Sequence, residues 1–226
     1  MIRSLLAASL ALSLAVPGAG HRGGQSAPGK PLTLAQVWSL NAAYTDPQHG
    51  VSFRYPSAWK PATQFGYHLP ALTLEDKPIA GFGYQEGGFP RQRVVGPYSA
   101  TNLEGFGIVY AAAPAASAGA CQAKAAALAE TQEHRTLTFN GRPFTAYETA
   151  EGGMSQAISG NLYAAYVQPV CYLFETDVAI ALPGALDGIP ALTPAQSRSI
   201  TAHLLDIMKS VRIAPPYSGG PTVITK

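Results

Sequence analysis

The chain is short of charge. Of its 226 residues, 15 are Lys or Arg and 13 are Asp or Glu, so 12% are charged and the formal net charge is +2. That is about half the ~25% usual in soluble domains. With no basic field to neutralise phosphates, nucleic acid is excluded as a partner, and no acidic or basic tail is present. Cysteine is scarce as well: there are two, and no Cys-x-x-Cys spacing. No apolar run reaches the roughly 20 residues that a bilayer-spanning helix needs, so no membrane span is expected. What the chain does hold is 47% hydrophobic residues, with 23 Gly and 19 Pro. That is enough apolar material to bury a core, which excludes a disordered chain.

Residues 1–20 open with Met-Ile-Arg, run apolar from Leu5 to Val16 and leave through Pro17-Gly18-Ala19-Gly20. One positive charge, a short apolar stretch and a small-residue exit read as a secretory signal peptide. The mature protein is therefore expected to be secreted or periplasmic. No cysteine follows the apolar run to take a lipid anchor. Residues 21–34, rich in Gly and Pro, read as a flexible leader, and residues 214–226 as a flexible tail. A single globular domain is expected over 35–213.

Within that domain, Val51 to Tyr55 alternates apolar and polar residues and stops at Pro56, the pattern of a strand. Ile79 to Tyr84 and Phe106 to Ala112 are further strands, with a turn at Gly87 to Arg93 between them. Ala120 to Gln132 reads as a helix whose inner stripe is Cys121, Ala125, Leu128 and Ala129. Thr136 to Phe139, Asn140-Gly141 and Arg142 to Thr149 read as a hairpin. Two more strands follow at Ala157–Val167 and Val170–Ala181. Thr193-Pro194-Ala195-Gln196 is a capping box with Pro at the first helical position, and Ile200, Leu204, Ile207, Met208 and Val211 then recur at helical spacing. This order predicts an α+β fold: an antiparallel central sheet covered by helices.

The run Tyr44-x-Asp46, then Gly50-Val51-Ser52-Phe53-Arg54-Tyr55-Pro56-Ser57-Ala58-Trp59, resembles the opening of PsbP/Mog1-like domains. A middle Asn-Gly hairpin and a closing helix that leads into a short strand at Ile207–Ile213 are similar to that superfamily too. The resemblance spans residues ~44–213 and implies an α/β/α sandwich. It implies no shared catalytic residues, because fold does not carry chemistry. Read physically, Tyr55, Pro56 and Trp59 end a strand, turn the chain and plug one end of the core.

Two cysteines in an exported chain favour a Cys121–Cys171 disulfide. Buried free thiols, and redox or metal chemistry, are the alternatives. Arg91 and Arg93, with Tyr84, Phe89 and Tyr98 near them in sequence, form the one local basic-aromatic cluster and are candidate contacts for an anionic or sugar ligand. Glu148, Glu151, Glu175 and Asp177 are the carboxylates available for hydrolytic chemistry, which needs them paired. Ser57-Ala58-Trp59-Lys60 matches Ser-x-x-Lys but is bracketed by Pro56 and Pro61, which deny it the helical turn that motif needs. The five histidines, His21, His49, His68, His134 and His203, show no ligand spacing, so no metal and no cofactor are expected. The reading is an exported, non-enzymatic domain that binds a protein or small ligand in the cell envelope. The alternative is a small exported hydrolase using sheet carboxylates.

Overall fold

Turn chemistry fixes the strand order. The computed structural model describes residues 31–61, 78–86, 96–153, 155–182 and 188–214. Asn140 and Gly141 both take positive φ, 50° and 75°. They close a two-residue hairpin between β6 (Arg135–Phe139) and β7 (Arg142–Gly152), with Phe139 opposite Arg142. Asn is tolerated in the left-handed region and Gly is at home there, which is why this dipeptide turns strands so tightly. The Asn140 side chain then donates to the carbonyls of Lys209 and Val211, pinning the turn to the end of the last helix.

From β7 the chain continues into β8 (Gln156–Val167) and β9 (Val170–Ala181), each antiparallel to the one before. β5 (Leu103–Pro114) lies along the other side of β9, followed by β4 (Ala80–Gln85) and a two-residue β3 (Lys60–Pro61). The order is β3-β4-β5-β9-β8-β7-β6, every neighbour antiparallel. The strand expected at Val51–Tyr55 forms, but as β2 of a separate small sheet. It pairs with β1 (Ala42–Asp46) and with β10 (Arg212–Ile213). The expected antiparallel sheet covered by helices is present, and a second sheet shares one of its covering layers.

Three helices complete the layers. α1 (Leu34–Trp38) and α3 (Pro194–Ser210) each begin with a capping box, Thr33 with Gln36 and Thr193 with Gln196. α2 (Ala118–Leu128) starts from the Ser117 side chain. α1, α3 and the small sheet cover one face of the large sheet. There Phe53, Phe106, Tyr110, Phe144 and Phe174 meet Trp38, Ile200, Ile207 and Met208. Tyr110 stacks on Phe174 at 5.0 Å and Trp38 on Phe106 at 4.3 Å. Trp59 is buried, and its indole N–H donates to the Val37 carbonyl at 2.8 Å, closing the end of this core as its sequence position implied.

The opposite face is built from smaller parts. α2 sets Cys121, Ala125 and Ala126 onto Val109, Leu162, Ala164 and Leu173. Cys121 and Cys171 are joined as a disulfide, with Cα atoms 5.3 Å apart. Among the described residues, no helix is long and apolar enough to cross a membrane.

Candidate functional site

The site follows from a mismatch in strand length. β6 has 5 residues and β7 has 11. Their ladder runs from Phe139 opposite Arg142 to Arg135 opposite Ala146, then stops. His134, just before β6, turns its ring against Tyr147 (5.5 Å between centroids), and the chain leaves toward α2. β7 goes on, paired with β8 as far as Gly152 opposite Ala157. Among the described residues it therefore has a strand on one side only from Tyr147 to Gly152.

The alternation of a strand decides which backbone groups this leaves. In a two-residue hairpin the flanking pair, Phe139 and Arg142, exchange both hydrogen bonds, so even-numbered residues of β7 face β6. The far end agrees: Gly153 N–H donates to the Gln156 carbonyl at 2.8 Å, placing the odd-numbered positions toward β8. The N–H and C=O groups of Glu148, Ala150 and Gly152 thus point out of the open edge. Glu148, Ala150, Glu151 and Gly152 are all exposed.

Beside this edge, between the sheet and α3, lies a groove of about 500 Å³. Its floor is Glu148, Ser159, Asn161 and Thr176, and Thr201 and Leu204 of α3 form one wall. Glu130 closes the other side. It stands at φ 53°, past the end of α2. Its N–H reaches the Ala127 carbonyl and that of Thr131 reaches Ala126, so the helix ends in a Schellman turn with Glu where Gly is preferred. The Arg135 guanidinium donates to Asn161 Oδ1 at 2.9 Å and lies 3.7 Å from Glu148. Arg135 and Glu148 are both solvent-exposed, so that ion pair holds little energy.

The four carboxylates singled out from the sequence are divided by the sheet. Glu148 faces the groove. Glu151, Glu175 and Asp177 point to the α2 side, where Glu175 is 0% and Asp177 1% exposed. Asp177 lies in one cross-strand row with Gly107, Gly160 and Thr149. A Cβ on Gly160 would run into Asp177 Oδ1 and the Thr176 carbonyl, so only Gly leaves the carboxyl its room. Among the described residues neither Asp177 oxygen has a hydrogen-bond partner; the Thr149 hydroxyl moderates its charge without reaching bonding geometry. Burial first, then the charges of Glu175 and Glu151, push the Asp177 carboxyl well above the usual carboxylate range. It does not line the groove.

Tyr84 is 5% exposed, stacks on Phe106 and donates its hydroxyl to Glu86 Oε2 at 2.7 Å. Burial and the Glu86 carboxylate raise that phenol far above its ordinary value. Tyr98 N–H donates to the same Glu86 oxygen. Arg91, Arg93 and Phe89, the rest of the cluster proposed from the sequence, lie outside the described residues, as do His21 and His68. His203 stacks on Trp38 at 4.7 Å. Among the described residues, no group of three or more His, Cys, Asp or Glu is placed to hold a metal ion.

One polar cluster was not anticipated. Asp46 Oδ2 lies 2.6 Å from His49 Nδ1, and Asp46 Oδ1 accepts the N–H groups of Gln48 and His49. Tyr110 and Tyr172 donate to Asp46 and to the His49 carbonyl. Burial works to raise Asp46, but the hydrogen bonds from His49 and Gln48 outweigh it and hold the carboxyl below its ordinary range. The cluster ties the β1–β2 turn to the core. Its signal in the sequence is Asp46-Pro47-Gln48-His49-Gly50, in which an Asp folds back on the turn that follows.

The chain matches no family model and no curated protein. Among solved structures it is similar to the Saccharomyces cerevisiae Ran-binding protein Mog1p, at 11% identity and a TM-score of 0.43, over 77% of this chain and 96% of that one. It is also similar to LpqN, involved in cell envelope biogenesis of Mycobacterium tuberculosis, at 10% identity and a TM-score of 0.42, over 83% and 100% of the two chains. A Bacteroides thetaiotaomicron protein matches at 10% identity and a TM-score of 0.40 over 78% of this chain. There the match spans 49% of the other chain, about half its length.

Proposed function

We propose that this protein is an exported, non-enzymatic binding domain that takes its partner in the groove beside the open edge of β7. The observation that carries this reading is the separation of groove and acid. The groove offers Ser159, Asn161, Thr201 and exposed Glu148, while Asp177, with its raised carboxyl, is sealed on the other face of the sheet. Hydrolysis by paired carboxylates asks for a raised acid and a second carboxylate flanking one bound substrate. Here the sheet stands between Asp177 and Glu148, and Glu175, on the same face as Asp177, is buried with it away from the groove, so the hydrolase alternative has the weaker support. Export is supported by the signal-like residues 1–20 and by a disulfide, which persists in oxidising compartments.

The test is an amide-resonance titration of the mature protein with a panel of neutral polar solutes, charged solutes and short peptides. Saturable shifts centred on Ser159, Asn161 and Thr201 are expected, and a Ser159→Trp variant, which fills the groove, should abolish them. Shifts centred elsewhere would contradict the reading. So would glycoside turnover lost in Asp177→Asn. Mass analysis of the exported chain checks removal of residues 1–20.

A further inference from the structure

The groove and the open edge are parts of one surface, and together they specify a ligand shape. From these features, and resting on the binding role proposed above, we infer that the partner is an extended basic peptide segment, added as a strand to β7 at Tyr147–Gly152. Three observations converge on this.

The first is the unused ladder. Glu148, Ala150 and Gly152 direct N–H and C=O groups outward, and among the described residues no backbone hydrogen bond reaches them. An open ladder of this length is what strand addition uses: main-chain bonds give affinity, and alternate side chains give selectivity. The second is charge. Side chains along this edge carry Glu148 and Glu130 on the groove face and Glu151 on the other, whereas Arg135 stands at the end, already bonded to Asn161. A strand laid antiparallel to β7 brings every second residue over the groove, opposite Glu148 and Glu130, where Lys or Arg is favoured and Asp or Glu repelled. Pairing β7 with β7 of a second copy would instead bring these same carboxylates together, so a second copy fits worse. The third is Glu130 itself. A left-handed φ at a non-Gly residue is a local cost, and here it sets a carboxylate at the groove mouth.

Exposed charge on an edge strand also serves to deter aggregation, so the test must tell a bound strand from mere attraction. The probe is a fluorescein-labelled short peptide of alternating Lys and Thr, titrated by anisotropy against the mature protein. Binding is expected to slow hydrogen exchange at the Glu148, Ala150 and Gly152 amides. It should weaken about tenfold in Ala150→Pro, which removes one edge donor at a position an edge strand tolerates. Glu148→Lys should weaken it by a similar factor, and added salt should weaken it further. Methylating alternate backbone nitrogens of the peptide, with its charge unchanged, should abolish binding.

Equal binding of the methylated peptide, or of a Glu-Thr peptide, overturns the inference. A dimer in solution that Ala150→Pro dissolves overturns it in favour of a second copy. Protection of these three amides before any peptide is added overturns it in favour of a segment of the chain itself. If the peptide fails but neutral solutes still shift Ser159, Asn161 and Thr201, the strand inference falls and the groove reading stands. If neither probe shifts them, both fall.

Discussion

The two faces of the large sheet are made differently. The face under α1, α3 and the small sheet is aromatic, with Phe53, Phe106, Tyr110, Phe144 and Phe174 interlocked at ring distances of 5.0 to 6.4 Å where they touch. The face under α2 has Ala, Gly and Leu, one disulfide and two buried carboxyls. Large rings bury enough area to hold a layer by themselves. An Ala-rich helix does not, and here a covalent bond fastens it. The lesson is that one sheet can support a self-sufficient layer on one side and a tethered one on the other. The polar groove lies where the aromatic layer ends.

Substitutions break this comparison in graded steps. Phe174→Ala should cost about 3–5 kcal/mol, since it opens a cavity among rings that cannot collapse; urea unfolding measures it. Cys121→Ser with Cys171→Ser should cost about 2–5 kcal/mol. The loss should appear as selective exposure of α2 in hydrogen exchange, with the aromatic face still protected. Gly160→Ala should cost about 1–3 kcal/mol, because its methyl meets the Thr176 carbonyl and the Asp177 carboxyl. Equal stability with Ala would mean that the Asp177 row is looser than described.

Two further changes sharpen the contrast. Glu130→Gly should raise stability by about 1 kcal/mol, by relieving a left-handed residue at the end of α2, while weakening the Lys-Thr peptide. Asp177 tests the small-residue face through pH. Its folded carboxyl holds a proton that the unfolded chain releases near ~4. Stability therefore falls as pH rises from that value through the raised folded one. Asp177→Asn should flatten this slope and leave a protein more stable at neutral pH; an unchanged thermal profile from pH 4 upward, as about the range in question, would contradict the burial argument.

Much of this was legible in the sequence, for local reasons. The α3 helix is announced by Thr193-Pro194-Ala195-Gln196 and its apolar stripe, and Ile200, Leu204, Ile207 and Met208 are the residues it buries. Asn140-Gly141 makes its hairpin, and the two cysteines find each other across α2 and β9. Glu175 and Asp177 share a face, as period-two spacing requires. What local patterns do not carry is register and partnership. The small sheet depends on Val51 and Ser52 meeting Ile213 and Arg212 from the far end of the domain. α1 has too few residues for a periodic signal, although Thr33 and Gln36 cap it. The groove exists because β6 ends while β7 continues, a difference in length that composition does not mark. Glu148 reads in the sequence as an acid, but its place on an edge unpaired among the described residues comes only from the ladder.

Hydrogen exchange along β7 of the free protein tests that edge most directly. The amides of Glu148, Ala150 and Gly152 should exchange fast, and those of Tyr147, Thr149 and Glu151, bonded to β8, should exchange slowly. Uniform protection across Tyr147–Gly152 would mean that the edge is already occupied and that β7 is not where this protein takes a strand.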